Sequence, residues 1–272
     1  MNESITRALS GIVYIVMLLA ATLYSPISFS ILFGVFLIIA VIEFCRLANL
    51  DKTVPIVMAV AGFALFAFRI NNDFVSNLLL NTGALFISIS LLFDLFKKGP
   101  VATRDKTAKL ARLTGYVIIP FLLIIKLPFL TNTFNPYIII GMYIIIWAND
   151  TFAYIVGKSM GKHKLFERIS PKKTIEGFVG GMIFSVAVAY ILGQNEYFNT
   201  SLTPWQWMIF AAILVIFGTL GDLVESHLKR NAGVKDSGNI MPGHGGILDR
   251  LDSVLFAIPF LFLYYQILNY VS

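Results

Sequence analysis

"KRNAGVKDSGNIMPGHGGILDRLDS", residues 229–253, carries Lys229, Arg230, Lys235, Asp236, His244, Asp249, Arg250 and Asp252 between two apolar stretches. Before it runs "WQWMIFAAILVIFGTLGDLV" (205–224), and after it "VLFAIPFLFLYYQILNYV" (254–271). Apolar runs of roughly 20 residues match the length needed to cross a bilayer core. Of the 272 residues 57% are hydrophobic and 13% charged, with mean hydropathy +0.80. A soluble domain carries about 25% charged residues. The composition therefore defines an all-α integral membrane protein and excludes a soluble globular one. Cys45 is the only cysteine, so an intrachain disulfide is excluded.

Working outward, the chain divides into about nine transmembrane helices, near 6–24, 27–45, 54–70, 74–96, 113–131, 136–157, 174–193, 204–224 and 253–271. Turn-rich breaks such as "SPIS" (25–28) and "QNEYFNTSLTPW" (194–205) separate them. On this division all of the 21 Lys and Arg except Arg69 and Lys126 fall on one side. The positive-inside rule puts that side, with the N-terminus, in the cytoplasm and the C-terminus opposite. The expected organisation is an N-terminal membrane region, 1–131, of about five helices for lipid access or packing. A C-terminal catalytic region, 132–272, follows with about four helices and cytoplasmic loops 158–173 and 225–252. The net charge of +6 is thus one-sided. The basic run Lys97–Arg112 reads as topology plus attraction to anionic headgroups, about 1 kcal/mol per surface cation. No nucleic-acid-binding module accompanies the charge, so nucleic acid is not an expected partner.

Carboxylates inside the spans need a separate account, since each costs at least a few kcal/mol at mid-bilayer and usually faces a polar cavity. Glu43 and Asp94 lie near cytoplasmic helix ends and read as structural. Glu176 opens the seventh span. Asp150, in "WANDTFAYIVGKSMG", is deeper and reads as functional. In "FGTLGDLVESHLKR", Asp222, Glu225, Ser226 and Lys229 share one helical face. An i,i+4 pair, Glu225–Lys229, accounts for two of these and leaves Asp222 unexplained. After the loop, Asp249 and Asp252 sit one turn apart on the next helix. Three carboxylates at similar depth suit Mg²⁺, which binds through one or two carboxylates plus phosphates and water.

The loop between them, "SGNIMPGHGG" (237–246), has glycines that let backbone approach a ligand closely. Its successive N–H groups suit an anion. His244, flanked by glycine, reads as a phosphate contact or proton carrier, against simple loop packing. In "ISPKKTIEGFVGG" (169–181), Ser170 is expected to cap a helix with Pro171 at its first position. Lys172 and Lys173 would then lie in the first turn, where cations are unfavourable unless an anion binds too. "GKSMGKH" (157–163) lacks phosphate-loop spacing, the histidines lack zinc-ligand spacing, and no nucleophile elbow is present.

"SHLKRNAGVKDSGNIMPGHGGILDRLD", residues 226–252, closely resembles the signature of the phosphatidate cytidylyltransferase (CDP-diacylglycerol synthase) family. Ser226, Lys229, Arg230, Lys235, Asp236, Pro242, His244, Gly245, Gly246, Asp249, Arg250 and Asp252 match, and Met241 replaces a usual Leu, Ile or Phe. "WANDTFAYIVG" (147–157) and "SPKKTIEG" (170–177) are similar to further family segments. The resemblance covers about the C-terminal half.

It implies a reaction of CTP with phosphatidate, giving CDP-diacylglycerol and pyrophosphate. Asp222, Asp249 and Asp252 are expected to hold Mg²⁺, with Asp150 completing the site or binding a second cation. Lys172, Lys173, Lys229, Arg230 and His244 are expected at phosphates. Ser226, Lys235, Asp236, Gly245, Gly246 and Arg250 are expected to shape or line the substrate site. A homodimer, multi-pass in the cell's inner (plasma) membrane with its site facing the cytoplasm, is also implied. Two rivals stand beside this reading. One is a related enzyme using an isoprenoid ether-lipid phosphate; the other is a secondary transporter whose acids form ion sites. The transporter predicts paired interrupted helices in both halves, whereas the polar signal here is confined to the second.

Overall fold

A computed structural model describes residues 3–66, 74–97, 105–130, 133–199 and 202–271. The apolar segments fold as helices α1 (Glu3–Tyr24), α2 (Pro26–Ala48), α3 (Thr53–Phe66), α4 (Phe74–Phe96), α5 (Lys106–Phe129) and α6 (Tyr137–Met160). After a short hairpin come α7 (Ile175–Gln194), α8 (Pro204–Asn231) and α9 (Leu248–Val271). All but α3 are long and apolar enough to cross a membrane, which makes eight such helices. As described, α3 has 14 residues and reaches about 21 Å, short of a bilayer core of roughly 30 Å. Residues 67–70 of the expected third span, with Arg69, and Lys98 and Arg104 of the basic run, lie outside the described residues.

Local chemistry sets the ends. Ser25 and Ser28 form a reciprocal capping box with Pro26 at the first position of α2, and Thr203, Pro204 and Gln206 repeat the device at α8. Within α5 the turn Thr114–Ile118 is π-helical. It lies just ahead of Pro120, whose missing N–H and bulky ring prevent the ordinary bond to the carbonyl four residues back.

Helix α5 is the most enclosed and packs on α2, α4 and α9, so both halves of the chain share one apolar core. Phe29, Phe33, Phe121, Phe256 and Phe262 are fully buried in it. Outward-facing Val13, Ile31, Phe86, Phe93 and Ile183 are exposed, as lipid-facing positions are in a helical membrane protein. Polar ties hold α5 at both ends. Arg112 pairs with Asp94 of α4, and buried Lys126 donates to Asn77 Oδ1 at 2.8 Å.

In the C-terminal half α6 packs on α7, α7 on α8, and α8 on α9. Close approach of α6 and α7 depends on small residues. A Cβ at Gly180 would strike Val156, and one at Gly181 would come within 2.5 Å of Asn149 Oδ1. Gly180→Leu is expected to cost about 1–3 kcal/mol by overpacking. A melting temperature in detergent equal to that of wild type would contradict this packing account.

The expected helix start at Ser170 is corrected. Ser170–Thr174 forms strand β2, antiparallel to β1 (Lys164–Phe166), and α7 begins only at Ile175. Thr174, not Ser170, is the cap: its side chain accepts the N–H of Gly177. The fixed φ of Pro171 suits an extended segment as well as a first helical turn, and pairing with β1 selects the extended form. Lys172 and Lys173 therefore lie on a strand just before the helix. Arg168 anchors the hairpin to α4, donating to the carbonyls of Leu95 (2.6 Å) and Lys97 (3.0 Å). Glu176 closes its neck by accepting the N–H groups of Lys162 and His163 and pairing with the His163 ring at 2.6 Å.

Candidate active site

Helices α8 and α9 bring their acids and bases together where the charged loop joins them. Lys229 Nζ lies 2.7 Å from Glu225 Oε2 and 2.6 Å from Asp249 Oδ1. The i,i+4 pair expected from sequence is therefore present, and Asp249 extends it into a triad. Glu225 is fully buried, and the side chains of Lys229 and Asp249 are 12% and 5% exposed. The Lys229 ammonium offsets the charge of these two carboxylates, which as anions this deep would repel each other and lack solvation. The second oxygen of Asp249 accepts three donors at 2.8 Å: the N–H and hydroxyl of Ser237 and the N–H of Gly246.

A second group lies toward α6 and the hairpin. Lys173 pairs with Asp222, whose other oxygen accepts the Ser226 hydroxyl at 3.2 Å. A cavity of about 360 Å³ is lined here by Asp150, Lys158, Lys172, Lys173 and Asp222, with Tyr154, Leu165 and Phe178 as an apolar wall. Asp150 also borders a second cavity of about 240 Å³, together with His244, Asp249, Arg250 and Asp252. A narrow space lined by Asp150, Lys173, Asp222 and Ser253 shares Asp150 with both. Asp252 is within electrostatic reach of Asp222, and Asp150 is as well. Among the described residues, neither Asp150 nor Asp252 forms an ion pair with Lys or Arg. Asp150, Asp222 and Asp252 thus line adjoining spaces that share Asp150, while Asp249 is held by Lys229 and the loop.

The Gly-rich loop is shaped by an acid whose place near a helix end marks it as structural. Glu43 of α2 accepts Ile247 N–H at 3.1 Å, Leu248 N–H at 2.8 Å and the Ser237 hydroxyl at 3.3 Å. It is buried, at 6% exposure, and its place near a helix end is the only hint visible in the sequence. Gly245 adopts φ +82°, a conformation in which side chains are strained. His244 docks on α1, its Nδ1 2.8 Å from Ser10 Oγ. Burial, then the positive charges of Arg250 and Arg7, holds its imidazole below the ordinary range. Arg230 donates to the Val234 carbonyl at 3.1 Å and braces the loop. Lys235 and Asp236 are exposed and line a separate cavity of about 290 Å³ with Arg46 of α2.

No three His, Cys, Asp or Glu side chains converge as a ready-made metal centre among the described residues. The donors nevertheless suit Mg²⁺. Asp150, Asp222 and Asp252 offer hard oxygens around open space, and this ion normally fills its remaining positions with water and substrate phosphate.

Acids and bases thus line adjoining cavities inside a helical bundle whose helices are long and apolar enough to cross a membrane. The chain belongs to the Cytidylyltransferase family, whose model matches residues 5–268. It is 36% identical over 258 residues to a protein of Staphylococcus haemolyticus named phosphatidate cytidylyltransferase, covering 94% of this chain and 96% of that one. Proteins with the same name from Staphylococcus saprophyticus and Staphylococcus aureus (strain COL) match at 54% and 52% identity over 123 residues. Those matches cover 45% of this chain and 46% of each relative.

Proposed function

We propose that the protein transfers the cytidylyl group of CTP to phosphatidate, forming CDP-diacylglycerol and pyrophosphate. The observation that carries this reading is the shared wall at Asp150. It joins one cavity with lysines and an apolar side to another with His244, Arg250 and Asp252. The first suits a lipid phosphate, with Lys172 and Lys173 at the headgroup and Tyr154, Leu165 and Phe178 beside the glycerol and chains. The second suits the triphosphate, with Arg250 and His244 as donors, while Lys235 and Asp236, on the separate cavity beside Arg46, shape the loop.

The lipid phosphate is already anionic at neutral pH, so no side chain need activate it. One of its oxygens forms a bond to the α-phosphorus of CTP as the bond from that phosphorus to the bridging oxygen breaks. Pyrophosphate leaves with the electron pair, and no proton has to move. The protein's work is to bring two anions together, which preorganised charge achieves without reorganisation cost. Lys173 and Arg250 lower the repulsion between the phosphates. Lys229 holds Asp249 in place, and Asp249 in turn fixes the N–H groups of Ser237 and Gly246. Mg²⁺, held by Asp222 and Asp252 with Asp150 and Asp249 as further donors, would supply neutralisation of the phosphate charge. The site faces the cytoplasm, where CTP is found, and the diacyl chains stay in the plasma membrane.

Purified protein in detergent, given phosphatidate and radiolabelled CTP, is expected to move label into the lipid fraction only with Mg²⁺ present. Folded protein that binds CTP but labels no phosphatidate would shift the acceptor to another lipid phosphate. Failure to bind CTP at all would overturn the reading.

A further inference from the structure

The segment from Ser237 to Leu248 closes on a carboxylate almost 200 residues earlier in the chain. Glu43, near the cytoplasmic end of α2, accepts three donors: Ile247 N–H on one oxygen, Leu248 N–H and the Ser237 hydroxyl on the other. Ile247 and Leu248 stand at the start of α9, where N–H groups have no partner within the helix. Glu43 therefore acts as a cap delivered from a distant helix, with its negative charge at the positive end of the helix dipole.

Two further observations give this contact a direction. The Ser237 hydroxyl lies 2.8 Å from Asp249 Oδ2 and 3.3 Å from Glu43 Oε2, so its one hydrogen is shared between the two carboxylates, Asp249 being the nearer acceptor. Gly238 and Gly246 both press on Glu43, and a Cβ at either would run into its carboxyl group. Gly246 is also the residue whose N–H binds Asp249. Each strand of the loop that touches Asp249 thus rests on Glu43. If Glu43 moves, the Ser237 and Gly246 donors move, and with them the orientation of Asp249 toward Lys229 and the cavity.

We propose that Glu43 is a positioning residue of the active site, an acidic strut by which α2 sets the Gly-rich loop and the first turn of α9 around Asp249. The proposal rests on the cytidylyltransferase reading for its catalytic consequence, but not for its structural one. A neutral amide cannot serve all three donors, because its NH₂ end faces one oxygen position with a donor of its own.

The test compares Glu43→Gln, Glu43→Asp and Ser237→Ala with wild type, in detergent. Hydrogen exchange of peptides covering 237–250 reads the strut without reference to turnover. Faster exchange there in Glu43→Gln, with other helices unchanged, is the expected result. In the CTP–phosphatidate assay, kcat is expected to fall about tenfold to a hundredfold, as for other residues that orient a site's first ligands. KM for phosphatidate should be unchanged, Glu43→Asp should recover part of the loss, and Glu43→Gln with Ser237→Ala should cost less than the product of the two. Normal exchange and normal kcat in folded Glu43→Gln would overturn the proposal, as would fully multiplicative losses. If Glu43→Gln does not fold, Ser237→Ala decides: wild-type exchange and kcat would overturn it. Wild-type protein that makes no CDP-lipid yet shows the exchange effect would retire the functional reading and keep the strut.

Discussion

Asp249→Asn is expected to reduce turnover by on the order of a hundredfold to a thousandfold, the scale on which loss of one preorganised electrostatic group acts. The side chain has no slack for an amide. One oxygen faces Lys229 Nζ and the other accepts Ser237 N–H, Ser237 hydroxyl and Gly246 N–H. With the NH₂ toward Ser237 and Gly246, it meets two N–H groups and a hydroxyl. With it toward Lys229, it meets an ammonium. Either way the loop turns and a negative charge beside the cavity is lost. The measurement is kcat on monodisperse protein with wild-type membrane insertion. A rate within a few-fold of wild type would remove Asp249 from the site.

Lys229→Met should show its largest effect on stability. It leaves Glu225 and Asp249 facing each other without the cation between them, in a pocket where Glu225 has no exposure. Removing one partner of a buried ion pair typically costs about 3–5 kcal/mol. The expected result is a markedly lower melting temperature in detergent. Adding Glu225→Gln should recover part of it, since one of the two stranded charges is gone, while turnover stays low. A single variant as stable as wild type would mean that water reaches these carboxylates freely.

The membrane character of the chain and the helical course of its apolar segments follow from apolar length alone, and helix periodicity placed Glu225 against Lys229. These are local properties, visible within a turn or two of helix. The strand at Lys172 and Lys173 was not legible, because Ser-Pro begins an extended segment as readily as a helix. Only pairing with Lys164–Phe166 chooses between them. Asp249 was legible as an acid on the same face as Asp252, but not as the partner of Lys229. That contact depends on how the intervening loop closes. Least legible was Glu43. An acid at a helix end usually means nearby water, and nothing within its own helix points to a loop two hundred residues on. Asp94 met the same description and proved to be an ordinary pair with Arg112.

The tie between Arg168 and the end of α4 bears on how such a protein can be divided or recombined. The signature residues all lie in the second half, which invites treating that half as a portable unit. Yet the hairpin presenting Lys172 and Lys173 hangs from carbonyls of Leu95 and Lys97, and the loop beside Asp249 sits on Glu43. A chimaera that exchanged the first four helices with those of a relative would inherit the chemistry and lose its alignment, unless both anchor points came across with it. Shuffling within this architecture is therefore limited to junctions that respect those two seams.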